Sequence, residues 1–168
     1  AFNSILLPVK AILLDLISIA VSFSAVVAVI HYGFGSSLLG TYHLRDIEAW
    51  VLVFLFAVLF GLSMDYEVFI VSRIREAWKN GASNNEAIIE GMAETGSVIT
   101  AAAAIFVVAV SGLIFGHFAG LQELGIGLIA GITFDATIIR LLLLPATMVL
   151  LDKWNWSHPR IRGSRTNS

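Results

Sequence analysis

Residues 60–76 read FGLSMDYEVFIVSRIRE, so a phenol stands between two carboxylates at Asp65, Tyr66 and Glu67, directly after the apolar run AWVLVFLFAVLF. A charged group taken into hydrocarbon is costly unless it is paired, neutralised or facing water, so an ionisable residue there points to function. The chemistry these side chains offer is proton transfer. A carboxyl group away from bulk water can gain and lose a proton, and a phenol both donates and accepts hydrogen bonds. Asp65 lies eight residues before Arg73, roughly 12 Å along a helix, below the interface and too short to snorkel. Val58, Gly61, Val68 and Ser72 share its face, and Gly61 would admit a second helix closely. Asp65 is therefore predicted to point into a helix bundle. Tyr66 is turned by about 100° towards a neighbouring surface. Glu67, nearer the end of the run, reads as structural or interfacial.

A second polar group sits in GITFDATIIRLLLLP, where Asp135 and Arg140 are five residues apart. On an α-helix that spacing separates them by about 140°, which predicts that each pairs with another helix and not with its neighbour. Pinning of helices is the plainer role for both, with support of a proton relay as the second. Asp15, near one end of another apolar stretch, reads as a structural residue that reaches water.

Those residues must be carried by membrane helices. Of the 168 residues 58% are apolar and 13% charged, and the mean hydropathy is +0.88, far outside the range of a soluble domain. Four windows are long enough to cross the bilayer, 11–30, 49–71, 98–118 and 121–151, given that about 20 apolar residues are needed. The fold class is thus an all-α polytopic bundle. The third window is rich in small residues and is predicted to pack inside the bundle, and the fourth is long enough to require a tilt or a kink near Pro145. Gly116/Gly120 and Gly127/Gly131 have the spacing of helix-packing pairs. Residues 1–10 read as the end of a preceding helix and a turn, and 152–168 as a polar tail.

Lys and Arg gather on one side: Lys10, Arg73, Arg75, Lys79, Lys153, Arg160, Arg162 and Arg165 against Arg45 alone on the other. This places the 72–97 loop and the C-terminus in the cytoplasm. Within that loop Ser83-Asn84-Asn85-Glu86 has the form of a capping box, predicting a short amphipathic helix over about 84–94. Cysteine is absent and the four histidines are scattered, so no disulfide or metal site is proposed. The net charge of −2 argues against nucleic acid. No phosphate-binding loop, HExxH pair or GxSxG elbow occurs, so the chain does not read as an enzyme.

FGLSMDYEVFIVSRIREAW closely resembles the tenth-helix signature of the MMPL (mycobacterial membrane protein large) branch of the RND superfamily of proton-driven exporters. SILLPVKAILLDLIS is similar to the junction of the eighth and ninth helices, LGIGLIAGITFDATIIRLLLLPATM to the twelfth, and LLDKWNWSHP to the family's exit into a cytoplasmic tail. The resemblance covers nearly the whole chain. It implies a C-terminal segment, helices nine to twelve, of a bacterial plasma-membrane exporter of lipids or other hydrophobic molecules. Its partners are then the bilayer, the substrate, and the N-terminal half and porter domains of the same transporter. Asp65 and Tyr66 align with the second-half proton-relay pair, and the driving agent is the proton, with no cofactor. The family usually has Asn where this chain has Asp15, so no family role passes to Asp15. The alternative is a lipid-sensing or scaffolding bundle that does not transport. The substrate is not legible in these residues.

Overall fold

The computed structural model describes residues 6–35 and 47–151. Helix α1 spans Leu6–Val26 and ends in a π-helical turn, Val27–His31. Pro8 falls in its first turn, where backbone N–H groups have no partner to lose. The helix therefore starts before the expected boundary, and residues 6–10 belong to the first helix. Residues 1–5 and the tail from 152 lie outside the described residues, as does most of the loop between the first two spans.

Helix α2 runs through Ala49–Lys79. The SRIRE segment continues the helix past 71, since nothing in it breaks an α-helix. It stops at a Schellman turn: Gly81 takes a positive φ of 104°, its N–H donates to the Trp78 carbonyl at 3.2 Å, and Ala82 N–H donates to Ala77 at 3.3 Å. Only glycine adopts that backbone without strain. Ser83 then caps helix α3, Asn84–Ser111. Its hydroxyl accepts from Glu86 N–H at 3.4 Å, and the Glu86 carboxylate accepts from Ser83 N–H at 2.9 Å, so the capping box forms as its sequence indicates. The helix does not end near residue 94, however. The loop helix and third span are one 28-residue element, because the Gly96 between them costs only about 1 kcal/mol in helix propensity and no proline intervenes.

A 3₁₀ turn, Gly112–Phe115, leads to helix α4, Ala119–Phe134. The chain continues as a π-helix over Asp135–Leu143 and resumes as helix α5, Leu144–Leu151. The irregularity expected near Pro145 thus falls just before it. Proline has no N–H to donate and crowds the carbonyl four residues back, and widening the preceding turns relieves both. The chain is an all-α membrane protein, and among the described residues four helices are long and apolar enough to span the bilayer.

Helix α4 is the centre, packed against α1, α2 and α3. Half of its span's apolar window is buried, against 17% for the span built on α3. The expectation that the small-residue third span packs inside the bundle therefore fails within this chain. α3 is peripheral, with Val98, Ile105 and Val108 exposed. Lipid is as apolar as a leucine core, so close van der Waals fit and not hydrophobicity selects the interior positions. The fit is supplied by glycines of α4: a Cβ on Gly127 would lie 2.6 Å from Leu55, and one on Gly131 2.7 Å from Leu59. Two apolar clusters result. One holds Ile19, Val26, Leu55, Leu59, Leu128 and Ile132. The other holds Ile70, Ile74, Ile88, Ile99, Leu144 and Met148.

Candidate functional site

Between these clusters lies a layer of buried polar side chains. α1 contributes Asp15, Ser18 and Ser22 along one face, and α2 contributes Ser63. The π segment contributes Asp135 and Arg140, and all six are at most 6% exposed. Arg140 Nε donates to Asp135 Oδ2 at 2.7 Å, and its second arm donates to the Ser63 carbonyl at 2.6 Å. Ser18 Oγ donates to the other Asp135 oxygen at 3.2 Å. Ser22 ties the layer to α4 by donating to the Gly127 carbonyl at 2.7 Å.

The Asp135–Arg140 bond corrects the expectation that these residues cannot meet within one span. The α-helical separation does not apply, because Asp135 opens a π-helix, whose repeat joins residues five apart. The local winding converts an unfavourable spacing into an ion pair. Burial of such a pair is tolerated when the remaining donors and acceptors are also satisfied, and Ser18 and Ser63 do that here.

Asp15 corrects a second expectation. It does not reach water: it is 2% exposed, with the Ser63 side chain beside its carboxyl group and Asp135 and Arg140 in electrostatic range. The sequence carried a signal for this layer, since Asp15, Ser18 and Ser22 recur at the three- and four-residue spacing of a single helix face.

Tyr66 faces this layer, its ring 5.0 Å from the Arg140 guanidinium carbon, in cation–π range. Asp65 does not face it. Asp65 is exposed on the outer side of α2 together with Gly61, Val68 and Ser72, and neither salt bridge among the described residues involves it. A Cβ placed on Gly61 would meet nothing within 4 Å. Of the predicted common face, Gly61, Val68 and Ser72 are exposed beside Asp65, whereas Val58 packs against the core. Glu67, partly buried, borders the inner layer beside Asp15 and Arg140.

Glu123 was not singled out from sequence and is wholly buried at the opposite end of α4. Its Oε2 accepts the Glu48 N–H at 3.1 Å, and Glu48 in turn accepts from Trp50 Nε1. This arrangement closes the start of α2 onto α4. Among the described residues no group of three or more metal-ligating side chains converges.

Comparison with known proteins follows the same residues. The MMPL family profile matches residues 2–166. The trehalose monomycolate exporter MmpL3 of Mycolicibacterium smegmatis is 39% identical over 95% of this chain and 16% of its own length. The heme uptake protein MmpL11 of Mycobacterium tuberculosis is 35% identical over the same shares. The putative membrane protein SCO6666 of Streptomyces coelicolor is 35% identical over 94% of this chain and 22% of its own length. The chain thus spans about a sixth to a fifth of the relatives it matches. With a profile match across nearly all of its residues and these identities, the chain belongs to the MMPL family.

Proposed function

We propose that this sequence supplies part of the second membrane half of a proton-driven exporter of lipids or other hydrophobic molecules, and that Asp65 and Tyr66 are its second-half proton relay. One observation carries the reading. Asp65 stands on the exposed outer face of a spanning helix with Gly61 and Val68, while the adjacent Tyr66 lies on Arg140 of the buried ion pair. A carboxylate left against lipid is costly, so that face is built to be covered by other helices of the intact transporter. Gly61, one turn away, permits close approach. Protonation of Asp65 from outside and release to the cytoplasm would change the charge at this junction. Tyr66 would transmit the change to Arg140 and Asp135, biasing how α2 packs on the π segment.

The lipid substrate class rests on relatives, of which MmpL3 is named as a trehalose monomycolate exporter and MmpL11 of M. smegmatis as a mycolic acid-containing lipids exporter. The Lys and Arg distribution supports a cytoplasmic position for the α2–α3 turn and the C-terminus. The test is export by the intact transporter. Asp65→Asn should reduce it to background while the protein still inserts, since Asn keeps the shape and cannot carry the proton. Tyr66→Phe should retain part of it. Undiminished export by well-expressed Asp65→Asn protein overturns the reading and favours a non-transporting lipid-sensing bundle.

A further inference from the structure

Asp15, Glu67 and Arg140, with Leu14, Ile139 and Leu144, enclose a cleft of about 10 Å³, close to the volume that one water molecule requires. Asp15 is 2% exposed, and its Oδ2 has no hydrogen-bond partner. A buried oxygen of that kind is costly when unpaired and is ordinarily satisfied by an ordered water. Towards the start of α1, Lys10 Nζ is also buried without a partner and lies in electrostatic range of Glu67. The groups that face Asp15 are therefore Ser63 and Glu67 on α2 and Asp135 and Arg140 on the π segment, while Lys10 acts on Glu67. Asp65, on the far side of α2, is not among them. Fully ionised, the three carboxylates exceed the two cations by one negative charge, and a single proton cancels that excess.

We propose that this cleft is a water-and-proton site, in which one water bridges Asp15 Oδ2 and Glu67 and a proton is shared across it, distinct from the Asp65 relay. The proposal rests on the proton-driven reading above only for its role in transport, not for its existence. The exchange is balanced: a protonated Glu67 gives its proton to the water as the water gives one to Asp15, leaving Glu67 ionised and the water intact. Lys10 stabilises the carboxylate so formed. The arrangement gives the Asp135–Arg140 pair a proton-conducting connection along the α1–α2 seam towards Lys10, at the end of the bundle assigned to the cytoplasm.

The test is infrared difference spectroscopy of the intact protein in lipid nanodiscs, following carboxyl C=O bands through a pH titration. The native protein should show a protonated-carboxyl band that Asp15→Asn removes, Asp65→Asn leaves in place, and Glu67→Gln shifts. A bridging-water O–H band should move in heavy-oxygen water and vanish in Asp15→Asn. Asp15→Glu should restore a carboxyl band. Carboxyl bands unaltered by Asp15→Asn in a protein with native circular dichroism overturn the proposal. Should Asp15→Asn not insert, a band unmoved by Glu67→Gln overturns it equally. Loss of export in Asp65→Asn with the Asp15 band intact separates the two sites. An intact Asp15 band in a protein whose export ignores Asp65 removes the relay reading alone.

Discussion

Arg140 joins three elements through one guanidinium group: Asp135 on its own segment, the Ser63 carbonyl on α2, and the Tyr66 ring. Removing it leaves Asp135 charged, buried and bound only by Ser18, and breaking a buried pair in this way typically costs about 3–5 kcal/mol. Arg140→Met should therefore lower the thermal midpoint of the purified transporter sharply. The double variant Arg140→Met, Asp135→Leu should recover much of that loss without recovering export. Equal midpoints for the single and double variants would show that the pair does not govern stability. Asp65, Tyr66, Asp135 and Arg140 were all legible in the sequence, because a charge or phenol within an apolar run is conspicuous. Their pairing was not legible. It depends on the irregularity before Pro145 taking the form of a π-helix that starts at Asp135, and on the close approach of α1, which turned Asp15 from a residue expected at the edge into a buried one.

At the scale of the helices, the features set by neighbouring residues were the ones sequence could supply. The capping box at Ser83 needs only a few adjacent residues. The peripheral place of the third span depends on what packs around it. Gly91 shows how close that packing is: a Cβ there would sit 2.5 Å from the Ile74 side chain and 2.8 Å from its backbone nitrogen. Backbone cannot rotate aside as a side chain can, so Gly91→Val should separate α2 from α3 and destabilise the protein by about 1–3 kcal/mol. Gly61 offers the contrasting case. Among the described residues nothing outside its own helix lies within 4 Å of a Cβ there, so Gly61→Leu should leave the helicity of the isolated segment unchanged. In the intact transporter it should impair export, because the covering helices would be displaced. Unimpaired export would mean that no helix packs at that face.

The described spans expose many large apolar side chains, among them Val53, Phe54, Ile105, Val108 and Leu142, as expected of a segment that meets lipid on one side and partner helices on another. Its sidedness can be measured with introduced cysteines, since the native sequence has none. A cysteine at Ser83 should be labelled by an impermeant reagent only from the cytoplasm, and one at His117 only from outside. Labelling of both from the same side would overturn the orientation. The central claim is that Asp65 carries protons, and proton flux tests it more directly than export does. The intact transporter is reconstituted in liposomes containing a pH-sensitive dye, and an inward proton gradient is imposed in the presence of substrate. Native protein and Tyr66→Phe should acidify the lumen, the latter more slowly, while Asp65→Asn should acidify it no faster than empty liposomes. Acidification by Asp65→Asn at the native rate would contradict the account.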